Sequence, residues 1–80
     1  MTRQKYDGRF AERFVQAREH AGFTKQIAAA KALEIPQSML SAYESGQKEP
    51  RVTVLLRMAD VYHVSPAYLL MRTDNPEGDA

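Results

Sequence analysis

The sequence predicts an all-α domain of five short helices, and three observations predict it. Apolar residues recur at spacings of three and four, and no segment shows the alternation of a strand. Gly22, Pro36, Gly46 and Pro66 punctuate the chain, so that each helical stretch between them is short. With 44% apolar and 26% charged residues in 80, the composition is that of one ordinary folded domain. No period of a repeat architecture is present.

The first helix is expected from about Arg9 to Ala21, with Phe10, Phe14, Ala17 and Ala21 as its buried stripe. Asp7 is its candidate cap and Gly22 its stop. Thr24 can cap a second helix over about 25–33, with Ile27, Ala30 and Leu33 inward and alanines that admit a close neighbour. The third lies in "PQSMLSAYESG", spanning 36–45. Pro36 sits in its first turn, where a missing N–H costs nothing, and Gly46 follows its end. The fourth runs from about Val52 to Tyr62, with Leu55, Leu56, Ala59 and Tyr62 inward. Ser65 followed by Pro66 caps and starts a short fifth helix through Met71.

The third helix raises a question of chemistry. Met39, Leu40 and Tyr43 share one face, while the other presents Gln37, Ser38, Ser41, Ala42 and Ser45. That face bonds hydrogen but carries no charge, unlike an ordinary solvated helix rich in Lys and Glu. Only the residues around Glu34 to Pro36 separate it from the second helix, so the two cross steeply as a helix-turn-helix. In such a unit the second helix can lie in the major groove of DNA. There Gln37 can pair with adenine N6 and N7, Ser38 and Ser41 can donate or accept, and Ala42 can touch a thymine methyl.

Charge and composition narrow the classes. The net charge is only +1, but residues 1–31 hold seven Lys/Arg against three Asp/Glu, and the last eight residues hold three acids and no base. A basic body suits a polyanion without requiring one. With no cysteine, neither a disulfide framework nor a thiolate metal site exists. His20 and His63 are far apart in sequence with no ligand-spaced partners, so no metal and no cofactor is expected. No nucleophilic triad or glycine-rich phosphate loop is present, and an enzyme is not expected. The apolar runs are too short to span a bilayer, and "MTRQKYDGRF" has no apolar stretch after its bases, so a cytoplasmic protein is expected. An unstapled core of this size supplies roughly 3–5 kcal/mol, which dimerisation would raise.

Three ordered blocks, "AREHAGFTKQ", "PQSMLSAYESGQKEP" and "TVLLRMADVYHVSPAYLL", resemble the phage repressor and Cro-type (XRE) helix-turn-helix family, from about Arg9 to Leu70. The resemblance implies a compact five-helix lambda-repressor-like DNA-binding domain over 9–72. Residues 1–8 would be an N-terminal arm and 73–80 a disordered acidic tail or linker. By family correspondence Gln37, Ser38 and Ala42 face bases with Ser41 beside them. Gln26, next to Lys25, binds a phosphate at the start of the second helix; Ser45 and Gly46 meet the opposite phosphates, with Lys48 nearby, and Arg51 reaches the minor groove. Arg18 and Glu44 match a buried ion pair that orients the third helix.

The chain departs from the family pattern at several points. Lys25 is one residue extra between Thr24 and Gln26, which shifts the start of the second helix and bears on the Gln26 contact. Glu34 and His63 stand where glycine is usual, Glu49 where a base is common, and Ala42 where Arg or Gln often reads a base. Fewer direct base contacts leave more to DNA shape.

Plainer readings stand beside these. Gln37 and Ser38 on an arbitrary helix would simply be solvated, and the motif context is what favours bases. Lys48 and Arg51 fit surface solubility charges equally well. Arg3, Lys5, Arg9 and Arg13 fit either an arm or phosphate-binding edge, or a solvated first helix. The expectation is a sequence-specific binder of double-stranded DNA, a transcriptional repressor acting as a homodimer on a palindromic operator, in a bacterial or phage cytoplasm. Tyr68, Leu69, Leu70 and Met71 are the candidate dimer interface, against the simpler reading that they cap the core. The alternative is an antitoxin or other interaction module that uses the same fold to bind a toxin or an RNA polymerase subunit. Such a face would be expected to expose aromatic or large aliphatic anchors, which the third helix lacks.

Overall fold

A computed structural model describes residues 8–78. Five helices and no strand occur among them: α1 (Ala11–His20), α2 (Gln26–Leu33), α3 (Gln37–Glu44), α4 (Val52–Tyr62) and α5 (Pro66–Leu69). The expected cap Asp7 lies outside the described residues.

Helix α1 buries Ala11, Arg13, Phe14, Ala17 and Arg18 along one side. Its chain direction reverses at Gly22, whose φ of +93° suits glycine. Phe23 N–H then donates to Arg18 O and Gly22 N–H to Glu19 O, satisfying the last carbonyls. Helix α2 begins one residue later than Thr24 would place it. Lys25 occupies the N-cap with extended backbone and no side-chain cap forms, so Thr24 is not the cap. The expected stripe is corrected as well, by how α2 packs. Ala29, Ala30 and Leu33 face inward, and Ile27 is 61% exposed, a third of a turn off that line.

Glu34 takes the left-handed conformation (φ 60°), so that its own N–H and that of Ile35 return to Lys31 O and Ala30 O. A non-glycine residue held there costs about 1 kcal/mol. Pro36 is the N-cap of α3 rather than its first helical residue, and its carbonyl accepts from Met39 and Leu40. Leu40 and Tyr43 anchor α3 in the core, and Gly46 (φ +81°) turns the chain so that Gln47 and Lys48 N–H both return to Ala42 O.

Helix α4 buries Leu55, Met58, Ala59 and Tyr62, an i, i+3, i+4, i+7 stripe. Leu56, expected inward, falls off it and is 47% exposed. His63 closes α4 in the left-handed region (φ 56°), as Glu34 closes α2. Ser65 Oγ caps α5 by accepting from Ala67 N–H, and Pro66 follows at the first helical position. α5 ends at Leu69, earlier than expected, because Met71 turns left-handed (φ 59°) and Arg72 N–H bonds Ala67 O.

Packing follows from these stripes. α3 rests on α1 and α2, α4 on α2 and α1, and α5 on α4 and α1. Phe14, Leu33, Leu40, Met58, Tyr62 and Leu69 are the largest fully buried side chains.

The stretch after α5 departs from the expected disordered tail: residues 73–78 fold back onto the domain. Ser65 N–H donates to Pro76 O (2.7 Å), and Asn75 closes a turn by accepting from Glu77 N–H and donating to Gly78 O. Arg13 holds the other end. Its guanidinium donates to Tyr68 O (3.3 Å), Thr73 O (2.9 Å) and Asp74 Oδ1 (3.1 Å), and it lies 4.3 Å from the centre of the Tyr68 ring. Arg13 is therefore buried against the tail, neither a solvated charge nor part of a phosphate-binding edge.

Candidate nucleic-acid interface

The α2–α3 unit presents the uncharged face outward. Gln37, Ser38 and Ser41 are exposed, Ala42 is half-buried, and none of the first three makes a side-chain hydrogen bond among the described residues. Ser45 is exposed and its hydroxyl donates to Ala42 O. Leu40 and Tyr43, fully anchored, fix the rotation of the helix that turns this face to solvent.

A buried polar lock fixes its tilt. Arg18 Nε donates to Glu44 Oε2 (2.8 Å), Arg18 Nη1 to Phe23 O (2.7 Å), and Gln26 Nε2 to Glu44 Oε1 (2.9 Å). The Arg18 and Glu44 side chains are only 9% and 4% exposed. One carboxylate thus ties the end of α3 to α1 and to the start of α2. Gln26 spends its amide donor on Glu44, which leaves its amide oxygen and backbone N–H for anything outside the domain. Tyr62, packed on Phe23 with ring centres 6.1 Å apart, is fully buried beside this lock. Burial, then the Glu44 charge, pushes its phenol well above the usual tyrosine range, against a smaller downward pull from Arg18. Its hydroxyl has no hydrogen-bond partner among the described residues.

The helix ends carry a second signal. α2, α3 and α4 have neither a side-chain cap nor an acidic residue in the first turn, and their N-caps are Lys25, Pro36 and Arg51. First-turn N–H groups left open in this way carry partial positive charge and favour an anion. Lys25, Lys48 and Arg51 are all exposed. Pro36, Ser38, Met39, Ala42, Gln47 and Lys48 line a shallow cleft of about 370 Å³ beside α3. Met39 is partly buried against the core, as its spacing predicts, and lines the cleft with its remaining surface; Gln47, which no motif singles out, enters the cleft because the Gly46 turn folds it back on Ala42.

The proposed dimer surface divides. Tyr68 and Leu69 are buried in the domain's own core (7% and 0% exposed), so neither is open to a partner. Leu70 and Met71 remain exposed, and Val52 and Leu56, one turn apart on α4, are exposed as well.

This arrangement of two helices, a short turn and an outward polar second helix agrees with sequence comparison. A helix-turn-helix family profile matches residues 15–69. The chain belongs to the XRE-type helix-turn-helix family. Among family relatives, the HTH-type transcriptional regulator ImmR of Bacillus subtilis (strain 168) is 41% identical over 59 residues, which is 74% of this chain and 46% of that protein. The match therefore spans about half the relative's length. No solved structure matches the chain. None of the helices among the described residues is long and apolar enough to cross a membrane.

Proposed function

We propose that this protein is a sequence-specific double-stranded DNA-binding transcriptional regulator, a repressor that acts as a homodimer on a palindromic operator. The observation that carries the reading is the α3 face: Gln37, Ser38, Ser41 and Ala42 turned outward, uncharged, on a helix fixed by Leu40, Tyr43 and the Arg18–Glu44–Gln26 lock. Amides and hydroxyls on a rigid helix discriminate between base edges, where mobile charges would bind any phosphate. The open N-termini of α2, α3 and α4, with Lys25, Lys48 and Arg51 exposed, favour phosphate backbones around that helix.

One α3 covers only about four or five base pairs, and two copies across a twofold axis would read half-sites about 10 base pairs apart. Leu70, Met71, Val52 and Leu56 supply exposed apolar surface for the second copy. Repression follows when the bound dimer occludes a promoter.

Selection from a random duplex pool tests the whole reading. The expected product is a palindrome bound with an affinity that falls steeply as salt rises. Binding that is absent, or flat with salt, refutes it and favours a protein partner.

A further inference from the structure

The polar surface of α3 continues past the end of the helix. Gly46 (φ +81°) turns the chain back, and the N–H groups of Gln47 (3.0 Å) and Lys48 (3.2 Å) both donate to Ala42 O. Two bonds to one carbonyl pin the start of the α3–α4 loop against α3. Gln47 is exposed, and its side chain makes no hydrogen bond among the described residues. Its amide therefore keeps both donor and acceptor for a partner outside the domain.

The cleft of about 370 Å³ lies where this loop meets α3. Pro36, Met39 and Ala42 supply apolar lining, Ser38, Gln47 and Lys48 supply polar lining, and no acid lines it. Ala42 carries only a methyl group, too short to fill the space beside Gln47. In the major groove one A·T pair matches this combination: adenine N7 accepts, adenine N6 donates, and thymine projects a methyl. Guanine offers two acceptors and cytosine has no methyl, so an amide beside an apolar hollow suits A·T over G·C.

We infer that Gln47, although outside α3, reads one A·T pair, its amide on adenine N6 and N7 and the thymine methyl in the cleft against Met39. The inference rests on the DNA-binding reading and adds to it a base-reading residue held by the Gly46 turn.

The test compares the full chain with its Gln47→Ala variant on the duplex obtained by selection and on single-pair variants of that duplex, by anisotropy competition. The Gln47 side chain is exposed and its backbone bond to Ala42 O survives the substitution, so the variant should keep the wild-type melt. It should bind the selected duplex about tenfold more weakly or worse, and lose its preference at one A·T position. The slope of log Kobs against log salt should stay that of the wild type, because no phosphate contact is lost. At that same position, uracil in place of thymine should weaken the wild type about fourfold, the worth of one buried methyl. An unchanged base preference in Gln47→Ala overturns the inference. So does a loss equal on every sequence with a slope shallower by about 0.9, which would make Gln47 a phosphate contact. Equal wild-type affinity for uracil and thymine overturns the place of the methyl in the cleft. A wild type that selects no duplex brings down the DNA-binding reading itself, a failure distinct from that of Gln47.

Discussion

Removing Arg18 should cost this domain most of its stability before it touches base choice. In Arg18→Ala the Glu44 carboxylate, 4% exposed, keeps the Gln26 amide as its one side-chain donor among the described residues, and Phe23 O loses a donor at 2.7 Å. Breaking a buried ion pair by deleting one partner costs about 3–5 kcal/mol, because the remaining charge stays desolvated without its counterion. A core of this size supplies about 3–5 kcal/mol in total. The two figures nearly cancel, so the variant should be largely unfolded at room temperature. Each kcal/mol shifts the melting midpoint of such a domain by about 4–8 °C, so the midpoint should drop by roughly 15 °C or more. Far-UV circular dichroism of the DNA-free protein reads this directly. The double variant Arg18→Met/Glu44→Leu, which leaves no charge to desolvate, should recover most of the loss and show a coupling of about 2 kcal/mol or more. A single variant that melts within about 3 °C of wild type, or additive effects in the cycle, would refute the argument that this lock holds α3.

Other variants probe separate parts of the structure. Gln37→Ala should lose about 1–3 kcal/mol on the selected site and relax one base position, read by competition between duplexes; an equal loss on every sequence would make Gln37 a phosphate contact. Tyr62→Phe should be neutral or stabilising near pH 7, since it removes a buried hydroxyl that has no partner. Because burial and Glu44 raise the Tyr62 phenol above its unfolded value of 10.0, its contribution is intact below about pH 10 and lost as pH rises further, where only the unfolded chain ionises. The wild type should therefore lose more melting temperature than Tyr62→Phe between pH 8 and about 10.5. Arg13→Ala should free residues 73–78, seen as faster hydrogen exchange at Ser65 N–H, whose acceptor is Pro76 O. Asp74→Asn should change little, because that carboxylate is fully exposed and screened. Leu70→Asp should shift equilibrium sedimentation at micromolar concentration toward monomer without altering the melt of the isolated fold, since Leu70 is already 38% exposed.

The order and type of the helices were legible because they depend on short-range spacing. Apolar residues three and four apart, Gly22 and Gly46 after helix ends, and Ser65-Pro66 at a helix start act within one or two turns. The outward polar face of α3 was legible for the same reason: helical phase alone puts Leu40 and Tyr43 opposite Ser38 and Ser41. Phase was also where single positions went astray. Ile27 and Leu56 are as apolar as their neighbours, and only the packing of α2 and α4 chose Ala29 and Met58 for the core instead.

By itself, then, the chain determined five helices, the turn between the second and third, and the uncharged surface between Pro36 and Gly46. Tertiary structure alone decided the rest. The acid-rich tail reads as solvated in one dimension, yet it is held by Arg13, some 60 residues away, and by Ser65. Gly8 and Gly46 are 38 residues apart, and nothing near either one in sequence announces that the two backbones touch. Local conformation is set by neighbours along the chain, whereas a pairing across the fold exists only once packing has brought distant segments within contact distance.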